Sequence, residues 1–357
     1  MNGTEEQQVR LSRKLEHVRH ALSIGQSGRQ GLADIKLVHS CLPSVRLDQI
    51  DIKTEIGELA MSSPIVVNAM TGGAEETEGI NRNLAIAARE SGLAMAVGSQ
   101  MAALKDSAVA SSYKVVRRMN PNGVVFANLG SEATLEQAKR AVEMLQANAL
   151  QIHLNVMQEL IMPEGDRDFR GAEERILNIV EGMDVPVIVK EVGFGMTQET
   201  AISLRRLGVR IIDVGGFGGT NFAAVENARR SSPLRELNNW GVPTSASLLE
   251  VLERCGDAHV IASGGIRTGL EAVKALALGA SAVGVAGRFL QVLQAEGTAA
   301  LIDLIQSMHD EMRVIMTAVG ASSLSRLRQV PAVITGPTGE WCRLRGIDLE
   351  RYARRGL

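Results

Sequence analysis

Aromatic residues are scarce in this chain, 3% of 357 positions, and cysteine is scarcer still, with Cys41, Cys255 and Cys342 lying far apart. An odd count with no C-x-x-C pair excludes a disulfide framework and a zinc site, and suits a reducing compartment. With 9 prolines and 36 unpatterned glycines the chain is neither collagen-like nor a Pro-rich disordered one. Long apolar runs are missing too. The longest uncharged stretch, residues 59–74, is broken by Pro64, Asn68 and two glycines, short of the roughly 18 apolar residues of a membrane span. Neither sign of charge dominates: 38 Lys and Arg against 40 Asp and Glu leave −2, with no like-charge block, which argues against nucleic acid as a partner. The N-terminus is polar and charged and does not read as a signal peptide. A cytoplasmic protein is expected.

What is present is a 45% hydrophobic composition carried by aliphatic residues and 14 methionines, the material of a sheet covered by helices. From Pro64 onward short apolar runs recur at 65–69, 94–97, 124–127, 150–153, 187–189, 211–214, 260–262 and 282–285. Segments such as 135–146 and 271–278 lie between them and space their apolar residues by three and four. Strict alternation of strand and helix implies a parallel sheet with right-handed crossovers, and eight units predict a closed (β/α)8 TIM barrel. The connections after the fourth and sixth strands are the longest, which places extra chain on the C-terminal rim where barrel active sites are built. The expected organisation is an N-terminal helical extension over 1–63, a barrel over 64–330 and a tail or partner contact over 331–357. In the extension Val9, Leu11, Leu15, Val18 and Leu22 make one apolar stripe, leaving Arg10, Arg13, Lys14, His17 and His20 on a basic side.

The seventh strand runs into Ala262-Ser263-Gly264-Gly265-Ile266-Arg267 and the eighth into Ala286-Gly287-Arg288. Loops after barrel strands seven and eight commonly hold phosphate, because glycine lets backbone N–H groups approach an anion. Lys190 ends the fifth strand and points to the central cavity, where an ammonium needs an anion, either protein such as Glu191 or a ligand. Alternation sends Glu191 the other way and favours the ligand. No G-x-G-x-x-G follows a strand, so a dinucleotide held in Rossmann fashion is not expected. The fourth strand runs into His153-Leu154-Asn155-Val156-Met157-Gln158-Glu159, where Glu159 offers one carboxylate, poor for zinc but sufficient for Mg²⁺ shared with a substrate phosphate. Asn68 to Gly73, Gly98 to Met101 and Ala127 to Gly130 end the first three strands in small and amide-bearing residues. Such donors suit a flat ring edge, and a flavin fits, with its phosphate at strands seven and eight and Lys190 near N1.

These motifs resemble the type 2 isopentenyl-diphosphate isomerases, FMN enzymes on a (β/α)8 barrel. The resemblance spans nearly the whole chain and rests on Arg13-Lys14-Leu15-Glu16-His17, Ala69-Met70-Thr71-Gly72-Gly73, Val97-Gly98-Ser99-Gln100, the 153–159 string, Val189-Lys190-Glu191-Val192-Gly193, Gly218-Gly219-Thr220-Asn221-Phe222 and Trp240-Gly241-Val242-Pro243-Thr244. It implies that Arg13, Lys14, Ser99, Asn155 and Gln158 bind a diphosphate substrate, with Mg²⁺ on Glu159. It implies that Ala69, Met70, Thr71, Ser99, Asn128, Lys190, Thr220, Gly264, Gly265, Ile266, Arg267, Ala286 and Gly287 bind FMN, which is active when reduced, with NADPH as reductant. Gln158, Lys190 and His153 are the implied catalytic residues. The reaction moves a double bond between isopentenyl and dimethylallyl diphosphate, in isoprenoid biosynthesis, by adding one proton and removing another. A homo-oligomer, tetramer or octamer, is expected, and the methionines and the apolar 318–327 region suit self-association.

Three rivals differ in what they require. A 2-hydroxy acid oxidase needs a histidine base and arginines near the ring; Arg267 and Arg288 are candidates, but His259 begins its strand and falls on the wrong rim. A nucleotide dehydrogenase needs a cysteine after strand six, and residues 215–221 contain none. A non-catalytic phosphate-binding barrel would carry no flavin.

Overall fold

The computed structural model describes residues 22–24 and 28–356. Arg13, Lys14 and all but Leu22 of the N-terminal stripe lie outside the described residues. The eight expected strands form: β1 Ile65–Val67, β2 Ala94–Ala96, β3 Val125–Gly130, β4 Ala149–Leu154, β5 Val187–Glu191, β6 Ile211–Asp213, β7 His259–Ser263 and β8 Ala282–Val285. They close into one barrel in sequential order, with β8 pairing parallel to β1. The helices α1 Glu75–Ser91, α2 Ser111–Met119, α3 Leu135–Leu145, α4 Ala172–Gly182, α5 Gln198–Arg206, α6 Thr244–Arg254, α7 Gly269–Leu278 and α8 Gly287–Ala318 follow the strands in turn. The chain is a (β/α)8 TIM barrel.

Local chemistry sets where several helices begin. Thr134, Thr197 and Thr268 each accept the N–H three residues on, at the starts of α3, α5 and α7, caps worth about 1 kcal/mol each. Gly297, at φ 87° and ψ −176°, divides α8 in two. Its second half buries Leu301, Ile305, Met308, Met312 and Met316, a three- and four-residue stripe packed against the barrel. These methionines are core, and Leu324 and Leu327 are buried as well. The apolar surface of these five side chains is spent inside the chain.

The barrel interior is layered. At the N-terminal end Val66, Phe126, Ala149, Ile188, Ile211 and Ile261 form an apolar floor. A hairpin of Thr54–Ile56 and Leu59–Met61 plugs that end, inserting Ile56 and Met61 into the same cluster. Its Gly57 turns at φ +59°, a conformation that disfavours a Cβ. Above this floor the inward residues become polar. At the other edge of the molecule the segment after Val330 packs on its own chain: Ala332–Ile334 pairs antiparallel with Ile35–Leu37, and Trp341 and Arg345 both donate to the buried carboxylate of Glu250 in α6. No described helix is long and apolar enough to cross a membrane.

Candidate active site

The C-terminal mouth of the barrel opens into a cavity of about 630 Å³. The expected residues Ala69, Met70, Thr71, Ser99, Asn128, His153, Asn155, Gln158, Glu159, Lys190, Thr220, Gly264, Gly265, Ile266, Ala286 and Gly287 all line it. One does not. The Arg267 guanidinium turns to the Gly218 carbonyl at 3.1 Å and its backbone N–H donates to Glu271 at 2.7 Å. The Arg267 side chain thus braces the turn from behind. Gln100 likewise faces the helical layer, donating to the Ala141 carbonyl and accepting from Asn128 N–H.

Glycine is obligatory at the phosphate end. The loops after β6 and β7 stack so closely that a Cβ on Gly264 would lie 2.0 Å from the Gly216 carbonyl oxygen, and one on Gly265 2.2 Å from that of Gly218. Both residues also take positive φ, +112° and +76°. The packing of loop on loop demands these glycines, and the bare backbone they leave beside the first turn of α8 at Ala286 and Gly287 is a cradle that fits a phosphate.

Lys190 reaches the cavity from β5, nearly buried, and donates to the Glu191 carbonyl at 2.7 Å. An ammonium has three donors, so it retains capacity for a ligand anion. The Glu191 carboxylate does not pair with it. Glu191 Oε2 instead accepts the N–H groups of Val192, Gly193 and Phe194 at 2.6, 2.7 and 2.6 Å, organising the loop. His153 Nδ1 lies 2.9 Å from Asn128 Oδ1, and burial, then the Lys190 charge, push the imidazole down to about 3. It enters the site as a neutral hydrogen-bonding group.

The two long connections meet over the mouth. Val156–Ile161 follows β4, and Phe222–Ala228 follows β6. Gln158 Nε2 donates to Glu226 Oε1 at 2.8 Å, and the other oxygen of this fully buried carboxylate accepts from Arg229 at 2.8 Å. The bond fixes which end of the Gln158 amide faces Glu226. Glu226 carried no signal in sequence: it stands in a short apolar stretch far from Gln158 in the chain. Glu159 accepts from Asn155 Nδ2 at 2.8 Å and from Asp166 N–H at 2.9 Å. No group of three or more metal-ligating side chains occurs among the described residues, so an ion at Glu159 would complete its shell from water and ligand.

Beneath the ligand space lies a polar layer that strand periodicity alone does not reveal as a unit. Gln151 on β4 donates to Asn68 Oδ1 at 3.2 Å, Asn68 donates to Asp213 on β6 at 2.7 Å, and Ser263 on β7 donates to the same carboxylate at 2.5 Å.

The FMN-dependent dehydrogenase family matches residues 106–333. An isopentenyl-diphosphate delta-isomerase of Geobacillus sp. (strain WCH70) is 53% identical over 347 residues, covering 97% of this chain and 99% of that protein. One from Bacillus cereus (strain ATCC 14579) is 56% identical over 348 residues, covering 97% and 100%. Among solved structures, mandelate oxidase with (S)-2-phenylpropionate superposes at a TM-score of 0.66, with 20% identity, over 89% of this chain and 94% of that one. That likeness speaks for the fold alone.

Proposed function

This chain belongs to the isopentenyl-diphosphate delta-isomerases within the FMN-dependent dehydrogenase family, and from that premise we propose how its cavity works. The enzyme interconverts isopentenyl and dimethylallyl diphosphate, a step of isoprenoid biosynthesis. The observation that carries the site assignment is the placement of Gln158, held by buried Glu226, on the same cavity as Lys190 and the glycine cradle.

When bound, reduced FMN supplies an electron-rich ring that stabilises positive charge at the tertiary carbon of the alkene and a nitrogen that exchanges protons with it. Lys190 and Asn128 would hold the ring end, Ala69, Met70, Thr71, Ser99 and Thr220 its flanks, and the Gly264 to Ile266 turn with Ala286 and Gly287 its phosphate. Gln158 faces the other proton. Its neutral amide is a weak base, and the Glu226 contact supports a relay in which Gln158 orients and hands on the proton. His153 and Asn155 offer neutral hydrogen bonds to the substrate, and Arg13 and Lys14 of the N-terminal extension over 1–63 would supply charge for the diphosphate. Glu159 would hold a Mg²⁺ ion that offsets the charge of that diphosphate, and NADPH would serve as the reductant. A cytoplasmic homo-oligomer, tetramer or octamer, is our reading of the assembly. Val156, Leu160, Leu234 and Trp240, exposed on the two rim connections, support a partner surface there.

The rival oxidase reading loses its grip residues, since neither Arg267 nor Arg288 lines the cavity. The test is a purified yellow protein which, once reduced by NADPH, isomerises many equivalents of substrate without further NADPH consumption. Stoichiometric consumption, or a product of different oxidation state, defeats the isomerase assignment. Activity should fall with a chelator and return with Mg²⁺; full activity in the chelator rules out the ion at Glu159.

A further inference from the structure

Asp213 is the last residue of β6, fully buried, and no step above uses it. It stands in register with Lys190 on the neighbouring strand, and register partners in a parallel pair point to the same side, so both belong to one inward row. Three donors converge on its carboxylate: Asn68 Nδ2 at 2.7 Å, the Ser263 hydroxyl at 2.5 Å and the Gly215 N–H at 3.1 Å.

A carboxylate receiving donors fixes the direction of each bond. Ser263 has one hydrogen, and it goes to Asp213. What Ser263 turns to the cavity, which it lines, is therefore a lone pair. Asn68 is oriented in the same way: its Nδ2 goes to Asp213, and its Oδ1 receives Gln151 Nε2 at 3.2 Å and the Ala69 N–H at 2.9 Å. Ser263 directly precedes the Gly264-Gly265 cradle, and Asn68 directly precedes Ala69-Met70-Thr71. A ligand group bonding to Ser263 must donate, and next to a phosphate site that group is a hydroxyl of a polyol chain.

We propose that Asp213 is a positioning residue that fixes Ser263 as the acceptor for the flavin's polyol chain and sets a buried negative charge in the row of Lys190. The proposal rests on the flavin reading above. Replacing Asp213 by Asn keeps the volume but sets an NH₂ group where a carboxylate oxygen accepted, so either Asn68 or Ser263 loses its acceptor and the fixed pattern of directions is broken. It also removes a negative charge near the ring, which favours the anionic reduced flavin over the oxidised one.

Apoprotein is titrated with FMN by fluorescence quenching, and the midpoint potential of the bound flavin is measured. Asp213→Asn should weaken oxidised FMN at least tenfold and raise the potential. Ser263→Ala should weaken FMN and leave the potential in place, and Ser263→Thr should recover the affinity. Wild-type protein that fails to bind FMN overturns the flavin reading and this proposal with it. Wild type that binds, beside an Asp213→Asn variant of unchanged affinity or unchanged potential, overturns the proposal alone. If Asp213→Asn does not fold, the serine pair decides, and unchanged affinity in Ser263→Ala overturns it.

Discussion

Lys190 meets the cavity as a cation whose protein partner is a main-chain carbonyl rather than a carboxylate. Its remaining donors are available to an anion in the cavity, and reduced FMN carries more negative charge at the ring than oxidised FMN. Lys190→Ala should weaken both states, the reduced one by a further 1.5 to 3 kcal/mol or so, the size of a charge-assisted hydrogen bond, which is roughly one to two decades in affinity. Dissociation constants in both redox states check this; an equal loss in both removes the electrostatic argument. Lys190 was legible in the sequence because a strand's end and its inward face both follow from period two. The direction of the Arg267 side chain was not legible, because spacing within a turn does not say which way a long side chain leaves it, and here it reaches the Gly218 carbonyl. Asp213 did leave a signal, a charge at an inward position of an apolar run, but its meaning depended on Asn68 and Ser263 from other strands.

Among the elements, the eight strands were readable because each is a short apolar run bounded by glycine or polar residues, and parallel strands buried on both faces require that composition. The hairpin that plugs the barrel floor escaped notice: Thr54–Ile56 and Leu59–Met61 are three residues each, too short for a period, and only the cluster around Ile56 gives them a purpose. The two long connections were recognised as rim chain, yet their contact was not, since nothing in either segment names the other. That contact carries its own prediction. Glu226→Gln leaves Gln158 free to rotate its amide, because an amide partner either donates or accepts where the carboxylate only accepts. Turnover and deuterium uptake from heavy water into the product should fall by roughly two decades, at the lower end for one acid–base participant, while FMN content stays. Unchanged turnover with flavin retained would show that Gln158 needs no such hold.

For the molecule as a whole, acid should be more damaging than its near-balanced charge suggests, because two histidines, His153 on β4 and His309 on α8, are buried and held neutral. His309 on α8 lies 2.8 Å from the Ser63 hydroxyl just before β1, and Ser63 in turn accepts the Ile65 N–H at 3.1 Å. The neutral ring can share this bond in either direction, whereas an imidazolium can only donate and would hold Ser63 as its acceptor. Burial, then the nearby Arg313, lower His309 to about 4, and burial with Lys190 lowers His153 to about 3. An unfolded chain binds protons at both rings near pH 6.5 that the folded chain refuses, so stability rises with pH across that interval. Their contribution is complete above about pH 6.5 and is lost progressively as pH falls toward 4. Thermal midpoints of the apoprotein should therefore drop steadily from pH 7 to pH 5. In His309→Asn, which keeps a hydrogen-bonding side chain but cannot titrate, the drop should be shallower, though the variant starts from a lower midpoint at pH 7. A wild-type profile that is flat over this range, or a variant slope as steep as wild type, would mean that His309 accepts its proton without opening the contact between α8 and the start of β1.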